Sequence, residues 1–551
     1  MKRAALGMVL LVTLVCGPAI VGARGQERQG AQAAGRPKLV VFIVVDQMRA
    51  DYPVRYASLL QHGLKRLTTQ GAWYTNAAYP YLTTVTCVGH STIGTGSLPW
   101  RHGMIGNGWY DRQSQKTPTC NGDPSTTDVS YGASVSGSGT AGAGDSARSM
   151  MVPTLAETMR KRLKSRVATM SIKARSAIGL AGHEGDFVTW FGDGLAWETS
   201  TAFTRAPVGW FVNYLKGNPV TRDADKVWER TLPADRYQNQ DDAPGERGAA
   251  GWSATFPHPL GTAGDRAYYS HWLQSPFADE YLGDMAAAAV DAMHLGTQDR
   301  TDFLGVSFSM LDAVGHNFGP RSHEVQDVLV RLDATIGKLL AHLDKEVGAG
   351  NYVVALSADH GVADLPEQAT GGGRVPGASV RAAIEAAAKA ALGEDGPFIA
   401  TMSTNDIYFK PGVYERLKAK PQALRSVIEH ATALSGIARV FTSDEISTAA
   451  ARAADDPQVR AAALSYYAGR SGDLTVLVKE NWEMTGAGTT HGTLYSYDQR
   501  VPVLLYGAGI TPGVREEPAT PADLAPTVAS LVGVTLPSPD GRVLSAAIKR
   551  N

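Results

Sequence analysis

Five short apolar segments, spread along most of the chain, constrain the fold more than any other feature of the sequence. They are Lys38–Val45, Val167–Ile172, Phe303–Met310, Tyr352–Leu356 and Val501–Tyr506. Continuous runs rich in β-branched residues are typical of strands that are covered on both faces of a parallel sheet. Segments with helical periodicity separate them: Met151–Leu163, Glu280–Met293, Ser322–Leu343 and Pro521–Val532. The alternation predicts an α/β fold with a largely parallel central sheet flanked by helices.

Three segments interrupt this alternation. Asn121–Ala147 is rich in Gly, Ser and Thr and is predicted to be a mobile loop. Residues 183–275 are rich in Trp, Pro, Asp and Gly, and their weak periodicity predicts an irregular inserted cap. A further insertion is predicted at about 365–488. There, Met402–Phe409, Pro421–Leu434 and Leu474–Val478 have the pattern of a small α+β unit.

The first residues have the pattern of an export signal. Lys2 and Arg3 precede an apolar run from Ala4 to Val15, and Val21-Gly22-Ala23 resembles a cleavage site. An uncleaved membrane anchor is the alternative, but the run is short for a membrane span. We therefore predict a signal peptide at 1–23, a flexible lead-in at 24–37 and a folded domain at 38–551. The expected location is periplasmic or secreted, without stable membrane insertion after cleavage.

The charge balance excludes one class of partner. Lys and Arg number 52, Asp and Glu number 53, and the net charge is −1. A nearly neutral chain lacks the basic surface of a protein that binds nucleic acid, so no nucleic acid partner is expected.

The cysteines leave two possibilities open. Cys16 lies in the predicted signal peptide, which leaves Cys87 and Cys120 in the exported protein. In an oxidising compartment these two could form a disulfide. The alternative is one buried thiol and one loop thiol.

Carboxylates and histidines follow the predicted strands, at the edge where open α/β sheets bind ligands. They are Asp46 after the first apolar run, Asp312 and His316 after the third, Asp359 and His360 after the fourth, and His491 before the last. Each alone has an ordinary explanation as a helix cap or a core histidine. Together, three carboxylates and three imidazoles are the ligands that two zinc ions need if each keeps a position for substrate. We therefore predict a site for two Zn²⁺ per chain.

Thr86 is a candidate nucleophile. It follows the extended stretch Ala72–Ala77 and lies near the start of a predicted helix. An oxygen at that point faces the positive end of the helix dipole. A hydroxyl that also binds Zn²⁺ loses its proton at modest pH, which makes it nucleophilic. The alternative is that Thr86 is only a helix cap.

These motifs resemble the alkaline phosphatase superfamily. Thr86, then Gly94-Thr95-Gly96, then His102-Gly-Met-Ile-Gly-Asn107, resemble the branch shared by nucleotide pyrophosphatase/phosphodiesterases and phosphate-irrepressible bacterial alkaline phosphatases. In that branch the nucleophilic threonine lies 21 residues before an asparagine, as Thr86 and Asn107 do. The Asp-x3-His, Asp-His and Thr-His-Gly elements also match in kind and order. The resemblance spans roughly 38–545.

The resemblance implies an alkaline-phosphatase-like three-layer sandwich, with 38–551 as the catalytic domain. It implies one zinc ion on Asp312, His316 and His491, and a second on Asp46, Asp359 and His360 with Thr86 as its fourth ligand. Asn107 would donate a hydrogen bond to a phosphoryl oxygen.

Lys173 and Arg175 indicate the substrate class. They follow the predicted strand Val167–Ile172, and alternation along an extended segment would place both on one side. Without the threonine and the two-metal site nearby, the simpler interpretation would be that Lys173 and Arg175 are solvated surface charges. The bacterial monoesterases of this branch have a Lys-x-Arg here that binds phosphate. A monoester carries one more charged oxygen than a diester, so two cations favour monoesters.

The sequence therefore predicts a zinc-dependent alkaline phosphatase that hydrolyses small-molecule phosphate monoesters through a phosphothreonine at Thr86. A phosphodiesterase or nucleotide pyrophosphatase on the same scaffold is the first alternative. It is weakened because Cys87-Val88-Gly89 stands where the diesterases have Phe-Pro-Asn. The second alternative is a non-catalytic exported zinc-binding protein, which would need no nucleophile.

Overall fold

The computed structural model describes residues 36–132, 143–249 and 251–550. The predicted signal peptide, most of the lead-in and residues 133–142 of the predicted mobile loop lie outside these residues. Among the described helices, none combines the length and the apolar character that crossing a bilayer requires.

The strands, in chain order, are β1 Leu39–Val45, β2 Ala72–Tyr74, β3 Gly122–Ser130, β4 Ala143–Asp145, β5 Val167–Ser171, β6 Phe187–Phe191, β7 Trp197–Ser200, β8 Val227–Trp228, β9 His258–Pro259, β10 Asp302–Phe308, β11 Tyr352–Ser357, β12 Gly373–Arg374, β13 Ile399–Ser403, β14 Asp406–Phe409, β15 Ile437–Thr442, β16 Leu474–Val478, β17 Trp482–Glu483, β18 Val503–Gly507 and β19 Gly513–Arg515.

The helices are α1 Tyr52–Arg55, α2 Gly63–Gln70, α3 Thr86–Thr95, α4 Pro99–His102, α5 Leu155–Leu163, α6 Ala174–Ala181, α7 Gly209–Gly217, α8 Arg266–Trp272, α9 Phe277–Met293, α10 Met310–Phe318, α11 His323–Leu343, α12 Gly377–Leu392, α13 Val413–Lys418, α14 Pro421–Thr432, α15 Ser443–Ile446, α16 Ala449–Arg452, α17 Pro457–Ser465, α18 Ser496–Gln499 and α19 Leu524–Val532.

The largest sheet has eleven strands in the order β19-β2-β18-β11-β1-β10-β5-β6-β7-β3-β4. Its centre, from β11 to β6, is parallel. Strands β18 and β7 join this centre in antiparallel fashion, so the whole sheet is mixed. The register pairs Val45 with Phe308 and Val44 with Ser357, so β1, β10 and β11 end together. The predicted α/β fold is confirmed.

Both faces of the central sheet are covered. Along β1, Val41 and Ile43 enter one apolar core, and Val40 and Phe42 enter another. Helices α9 and α11 contribute to the first core, and α5 and α19 contribute to the second. Successive side chains of a strand point to opposite faces, so the two cores lie on opposite sides of the sheet. This arrangement explains why β1 is a continuous apolar run.

Four strands of the largest sheet, β3, β4, β6 and β7, lie within segments that the sequence analysis predicted to be a mobile loop or an irregular cap. Within the predicted mobile loop, β3 pairs with β7 and with β4, so the loop prediction was wrong for these residues. Within the predicted irregular cap, β6 and β7 belong to the main sheet. The run Phe187–Phe191 is itself aromatic and β-branched, but the Gly and Asp residues around it concealed its strand pattern.

A second, four-stranded sheet forms from residues 399–478, in the order β13-β14-β16-β15. It has its own apolar core, which includes Ile384 of α12, Val427 of α14 and Val476 of β16. Its first two strands form a hairpin closed by Thr404 and Asn405. This unit supplies one wall of the site described next.

Candidate functional site

The six predicted ligands converge at the carboxyl ends of β1, β10 and β11. Asp46 directly follows β1, Asp312 lies in the first turn of α10 after β10, and Asp359 follows β11. His491 comes from the loop that precedes α18. Because these strands are parallel and end together, Asp46 and Asp359, more than 300 positions apart along the chain, meet at one edge of the sheet.

These side chains form two adjoining groups. In the first, Nε2 of His360 lies 3.4 Å from Oδ1 of Asp46 and 3.3 Å from Oδ2 of Asp359. In the second, Oδ1 of Asp312 lies 3.1 Å from Nε2 of His316 and 3.5 Å from Nε2 of His491. The rings of His360 and His491 stack with centroids 3.5 Å apart. His360 is close enough to share a cation with either group.

The second ring nitrogen of each histidine is held by a backbone carbonyl. The Nδ1 atoms of His316, His360 and His491 lie 2.8, 3.0 and 2.8 Å from the carbonyls of Thr489, Gly361 and Thr84. Because a carbonyl oxygen can only accept, each Nδ1 carries a proton and donates it there, which leaves Nε2 as the atom that can bind a metal ion. Metal-binding histidines are oriented in this way.

Two buried carboxylate oxygens support a cation site. Oδ1 of Asp46 and Oδ2 of Asp359 are buried, and neither accepts a hydrogen bond. A buried charged oxygen without a partner is unfavourable by several kcal/mol or more. Both oxygens face Nε2 of His360. A divalent cation at this point would satisfy all three atoms, and mixed oxygen and imidazole ligands suit zinc.

Lys173 lies between the two groups. Its Nζ is 2.6 Å from Oδ2 of Asp46 and 2.5 Å from Oδ2 of Asp312. Burial, with the charges of Asp312 and Asp359, raises the pKa of Asp46 well above its usual value. Burial alone would also raise the pKa of Asp312, but the Lys173 ammonium and the His316 ring hold it well below its usual range. The three carboxylates of Asp46, Asp312 and Asp359 outnumber the single ammonium of Lys173. The excess of acidic groups favours binding of a cation.

Arg175 is placed differently from the prediction. Strand β5 ends at Ser171, Lys173 caps α6, and Arg175 is the second residue of that helix. The expected alternation along an extended segment was therefore wrong, because the helix begins directly after Lys173. Nε of Arg175 is buried and has no hydrogen-bond partner, and the residue as a whole is half-buried.

Thr86 is the first residue of α3, and Val85 is the cap residue in extended conformation. The side chain is buried, and its Oγ1 lies 3.5 Å from Nε2 of His360. The hydroxyl therefore lies beside the group formed by Asp46, Asp359 and His360, at the positive end of a helix. The alternative, that Thr86 serves only as the cap, does not fit this position.

Asn107 is fixed opposite the start of α3. Its Oδ1 accepts a hydrogen bond from the backbone N–H of Cys87 at 2.9 Å. The backbone N–H of Cys120 donates to the Asn107 carbonyl at 3.0 Å. Cys87 and Cys120 form a disulfide, which decides the question that the sequence left open. With Oδ1 engaged, the group that Asn107 can offer a substrate is its side-chain N–H₂.

Two polar residues that sequence reasoning missed connect the site. The backbone N–H of Gln47 donates to Asp359 at 3.1 Å, and its side chain donates to Asp312 at 2.7 Å, so it bridges both groups. His90 contacts the Thr86 carbonyl at 2.9 Å and lies 3.3 Å from Oδ2 of Asp359. The spacing of four between Thr86 and His90 is a helical signal that could have identified His90.

A third missed residue acts from a neighbouring helix. Asp279 of α9 accepts hydrogen bonds from the backbone N–H groups of Ser309 and Met310, at 2.9 and 3.1 Å. It thereby holds the start of α10, the helix that carries Asp312 and His316. Burial raises the pKa of Asp279 to about 7. Its sequence surroundings contain nothing that indicates this contact.

Helices α3 and α6 cross at glycines. A Cβ added to Gly94 would lie 2.3 Å from the carbonyl oxygen of Gly179, and one added to Gly179 would lie 2.7 Å from Cβ of His90. A Cβ on Gly89 would lie 2.1 Å from the Asp359 carbonyl oxygen. No real side chain tolerates such distances, so these glycines set how closely the Thr86 helix approaches its neighbours.

Comparisons with known proteins agree with this geometry. Residues 40–498 match the family described as type I phosphodiesterase / nucleotide pyrophosphatase. The chain is 33% identical over 523 residues to alkaline phosphatase PafA of Elizabethkingia meningoseptica, covering 93% of this chain and 94% of that protein. It is 31% identical over 530 residues to alkaline phosphatase PhoV of Synechococcus elongatus, covering 94% of each.

Solved structures also show similarity to alkaline phosphatases and nucleotide pyrophosphatase/phosphodiesterases. The crystal structure of wild-type PafA aligns with a TM-score of 0.86 at 32% identity, covering 94% of this chain and 100% of that one. Murine ectonucleotide pyrophosphatase/phosphodiesterase 5, at 12% identity and a TM-score of 0.53, shares the fold. The family match, these relatives and the threonine and strand-end motifs agree, and the chain belongs to the nucleotide pyrophosphatase/phosphodiesterase family of the alkaline phosphatase superfamily.

Proposed function

We propose that this phosphoric monoester hydrolase is a two-zinc alkaline phosphatase that forms a phosphothreonine on Thr86. One observation carries the proposal: Oγ1 of Thr86 lies 3.5 Å from Nε2 of His360, beside the unpartnered buried oxygens of Asp46 and Asp359. A nucleophile and a cation site thus coincide. Relatives named alkaline phosphatases, matched over more than nine-tenths of this chain, support the monoesterase class.

The ligand sets follow the two groups. One zinc ion would be held by Asp46, Asp359, His360 and Thr86, and the other by Asp312, His316 and His491. Bound there, the ions supply positive charge that lowers the pKa of a hydroxyl group and stabilises negative charge on the reacting oxygens.

Thr86 carries out the bond exchange. Its Oγ forms a bond to phosphorus while the bond from phosphorus to the ester oxygen breaks, and the alcohol leaves. Water then attacks phosphorus, the bond to Oγ breaks, and inorganic phosphate is released. The start of α3 favours a negative oxygen on Thr86, because the positive end of the helix dipole lies there.

Three donors hold the transferring group. Asn107 offers its side-chain N–H₂, Lys173 its ammonium and Arg175 its guanidinium group. Charged donors bind phosphoryl oxygens more strongly than neutral ones do. The extra charged oxygen of a monoester makes Lys173 and Arg175 the residues that would favour monoesters over diesters.

The proposed setting is the periplasm or the exterior of the cell, with small-molecule phosphate monoesters as substrates and no nucleic acid partner. The predicted signal peptide and the Cys87–Cys120 disulfide support export, because disulfides persist in oxidising compartments. The net charge of −1 supports the absence of a nucleic acid partner.

Diester or nucleotide pyrophosphate hydrolysis is the second candidate, and the family description favours it. The alternative of a non-catalytic zinc-binding protein is discarded, because several relatives matched along nearly the whole chain are named alkaline phosphatases.

The test compares kcat/KM for an aryl phosphate and for its methyl diester, using the purified full chain with and without a chelator. We expect preference for the monoester, loss of activity with the chelator, and about two zinc ions per chain by elemental analysis. Preference for the diester would favour the second candidate, and activity that survives complete metal removal would contradict the proposal.

A further inference from the structure

One hairpin of the four-stranded unit reaches the candidate site. The side-chain amide of Asn405 donates to the carbonyl of Gly492 at 2.6 Å, one residue after His491. At the other end of the turn, Oγ of Ser403 donates to the carbonyl of Gly108 at 2.8 Å, one residue after Asn107. The tip of the β13–β14 hairpin is therefore fixed between the loop that carries Asn107 and the loop that carries His491.

Thr404, at this tip, has an unusual backbone conformation. Its φ is 50°, in the left-handed region, and its side chain is exposed. A β-branched residue is unfavourable there because its Cβ crowds the backbone, and Gly or Asn would fit more easily. Strained backbone of this kind concentrates at functional sites.

The Thr404 side chain spans the space between two glycines. A Cβ added to Gly106 would lie 3.7 Å from Oγ1 of Thr404, and one added to Gly492 would lie 3.6 Å from its Cγ2. The hydroxyl thus lies on the Asn107 side and the methyl on the His491 side. Tyr408 of the same hairpin packs in one apolar cluster with Cys87, so the tip is anchored to the start of α3.

We propose that Thr404 contacts the esterified alcohol of the substrate and helps to determine which alcohols the site accepts. The inference rests on the proposed function. In that function Asn107, Lys173 and Arg175 take the phosphoryl oxygens, and these groups are buried or half-buried. The alcohol is the remaining substituent of the phosphorus. It must extend toward solvent past exposed residues at the edge of the site. Thr404 offers it a hydroxyl for hydrogen bonding and a methyl for packing.

Binding measurements separate this role from general support of the site. Phenylphosphonate has a phosphorus–carbon bond that the proposed reaction does not cleave, so its binding can be measured by calorimetry without turnover. Inorganic phosphate lacks the organic group and serves as the second probe. The metal-loaded full chain is compared with Thr404→Ala, and with Thr404→Gly, which also relieves the backbone strain. Thr432→Ala, another exposed threonine of the same unit, is the matched control.

We expect both Thr404 variants to bind phenylphosphonate about two- to tenfold more weakly, the range expected when one methyl group no longer packs against the phenyl ring. Phosphate affinity should stay unchanged, and Thr432→Ala should leave both affinities unchanged. An equal loss for both probes, or no loss for either, would overturn the inference while leaving the proposed function intact. A parent protein that binds neither probe and hydrolyses no phosphate ester would overturn the proposed function and this inference together.

Discussion

Thr86 is a weak nucleophile by residue type, since a free aliphatic hydroxyl stays protonated at neutral pH. Its reactivity must come from its surroundings, which are the start of α3 and the Asp46, Asp359 and His360 group. Thr86→Ala should therefore lower kcat/KM by several orders of magnitude, as loss of a covalent nucleophile does in other hydrolases. Acid quench with ³²P-labelled substrate should label Thr86 in the parent. Thr69→Ala, on the exposed side of α2, is the control, and a label on another residue would refute the assignment.

Lys173 and Arg175 are the residues expected to distinguish ester types. A charge-assisted hydrogen bond contributes about 1.5–3 kcal/mol, which corresponds to roughly ten- to hundredfold in kcat/KM. In Lys173→Ala/Arg175→Ala, hydrolysis of an aryl phosphate should fall by such factors, and hydrolysis of its methyl diester should fall much less. The ratio of the two kcat/KM values is the measurement. Equal losses on both substrates would mean that the pair supports the site without selecting monoesters.

At the residue scale, the sequence identifies the proposed metal ligands better than the residues that orient them. Asp46, Asp312 and Asp359 follow apolar runs directly, so a local pattern identifies them. Gln47 contacts residues 265 and 312 positions away, and a glutamine after an aspartate carries no local signal. Its role depends on tertiary structure, which sequence spacing alone does not provide.

At the scale of elements, the disulfide holds Asn107 against α3. Cys87 binds Asn107 through its backbone and is bonded to Cys120, whose own N–H binds the Asn107 carbonyl. Closing a loop of 33 residues stabilises the fold by roughly 3–4 kcal/mol in the chain-entropy model. Cys87→Ala/Cys120→Ala should lower the melting temperature and raise KM for an aryl phosphate, because the two backbone N–H groups that hold Asn107 are then no longer covalently linked.

The matching experiment treats the parent with a reductant and then measures KM and free thiols together. KM should rise as the two thiols appear, and reoxidation should reverse the change. A KM that stays constant while both thiols become free would show that the backbone contacts of Asn107 suffice without the disulfide.

Elements differ in how well the sequence predicts them. Strands β1, β10 and β11 are covered by helices on both faces, so they are continuous apolar runs that stand out. Strand β3, in contrast, is a polar segment near one edge of the sheet, and five of its nine residues are Ser, Thr or Asp at half-exposed or exposed positions. Its strand structure depends on pairing with β7, and no apolar pattern in the sequence indicates that pairing.

At the scale of the whole molecule, the proposed zinc ions connect segments from both ends of the chain. Asp46, Asp312, Asp359 and His491 come from four distant segments, and the three carboxylates repel one another when no cation is bound. A ligand at 100 times its dissociation constant stabilises the folded state by about 2.7 kcal/mol. Chelation should therefore lower the melting temperature measured by calorimetry. The shift should shrink in Asp312→Ala/His491→Ala, and an undiminished shift there would argue against those two ligands.

A buried pair outside the candidate site should contribute to how stability depends on pH. Glu324 and His258 are buried 2.9 Å apart, and burial raises the pKa of Glu324 to about 9 and lowers that of His258 to about 4. The folded state thus keeps Glu324 protonated where the unfolded chain ionises it, so its contribution to stability is lost as pH rises toward 9. Below about 6.5 the histidine opposes this trend, because the unfolded chain then takes up a proton.

Between pH 6.5 and 9 the free energy of unfolding of the parent should therefore fall, by at most about 1.4 kcal/mol per pH unit from this group. Glu324→Gln removes the ionisation but keeps a hydrogen-bonding side chain. Melting curves across this range should show a shallower decline for the variant. Parallel curves for parent and variant would mean that Glu324 does not ionise on unfolding.

The glycine crossing of α3 and α6 limits how this enzyme can change over generations. A first mutation that adds a side chain at Gly94 or Gly179 drives the Thr86 helix away from the helix that carries Arg175. The proposed nucleophile and the proposed phosphate-binding residues are therefore expected to keep a fixed separation, which selection for new substrates can change only with difficulty. The hairpin tip at Thr404 belongs to a unit with its own core, so it can vary in sequence and length without disturbing that block. Diversification of substrate range in such a protein is expected to begin there, with the phosphate chemistry preserved.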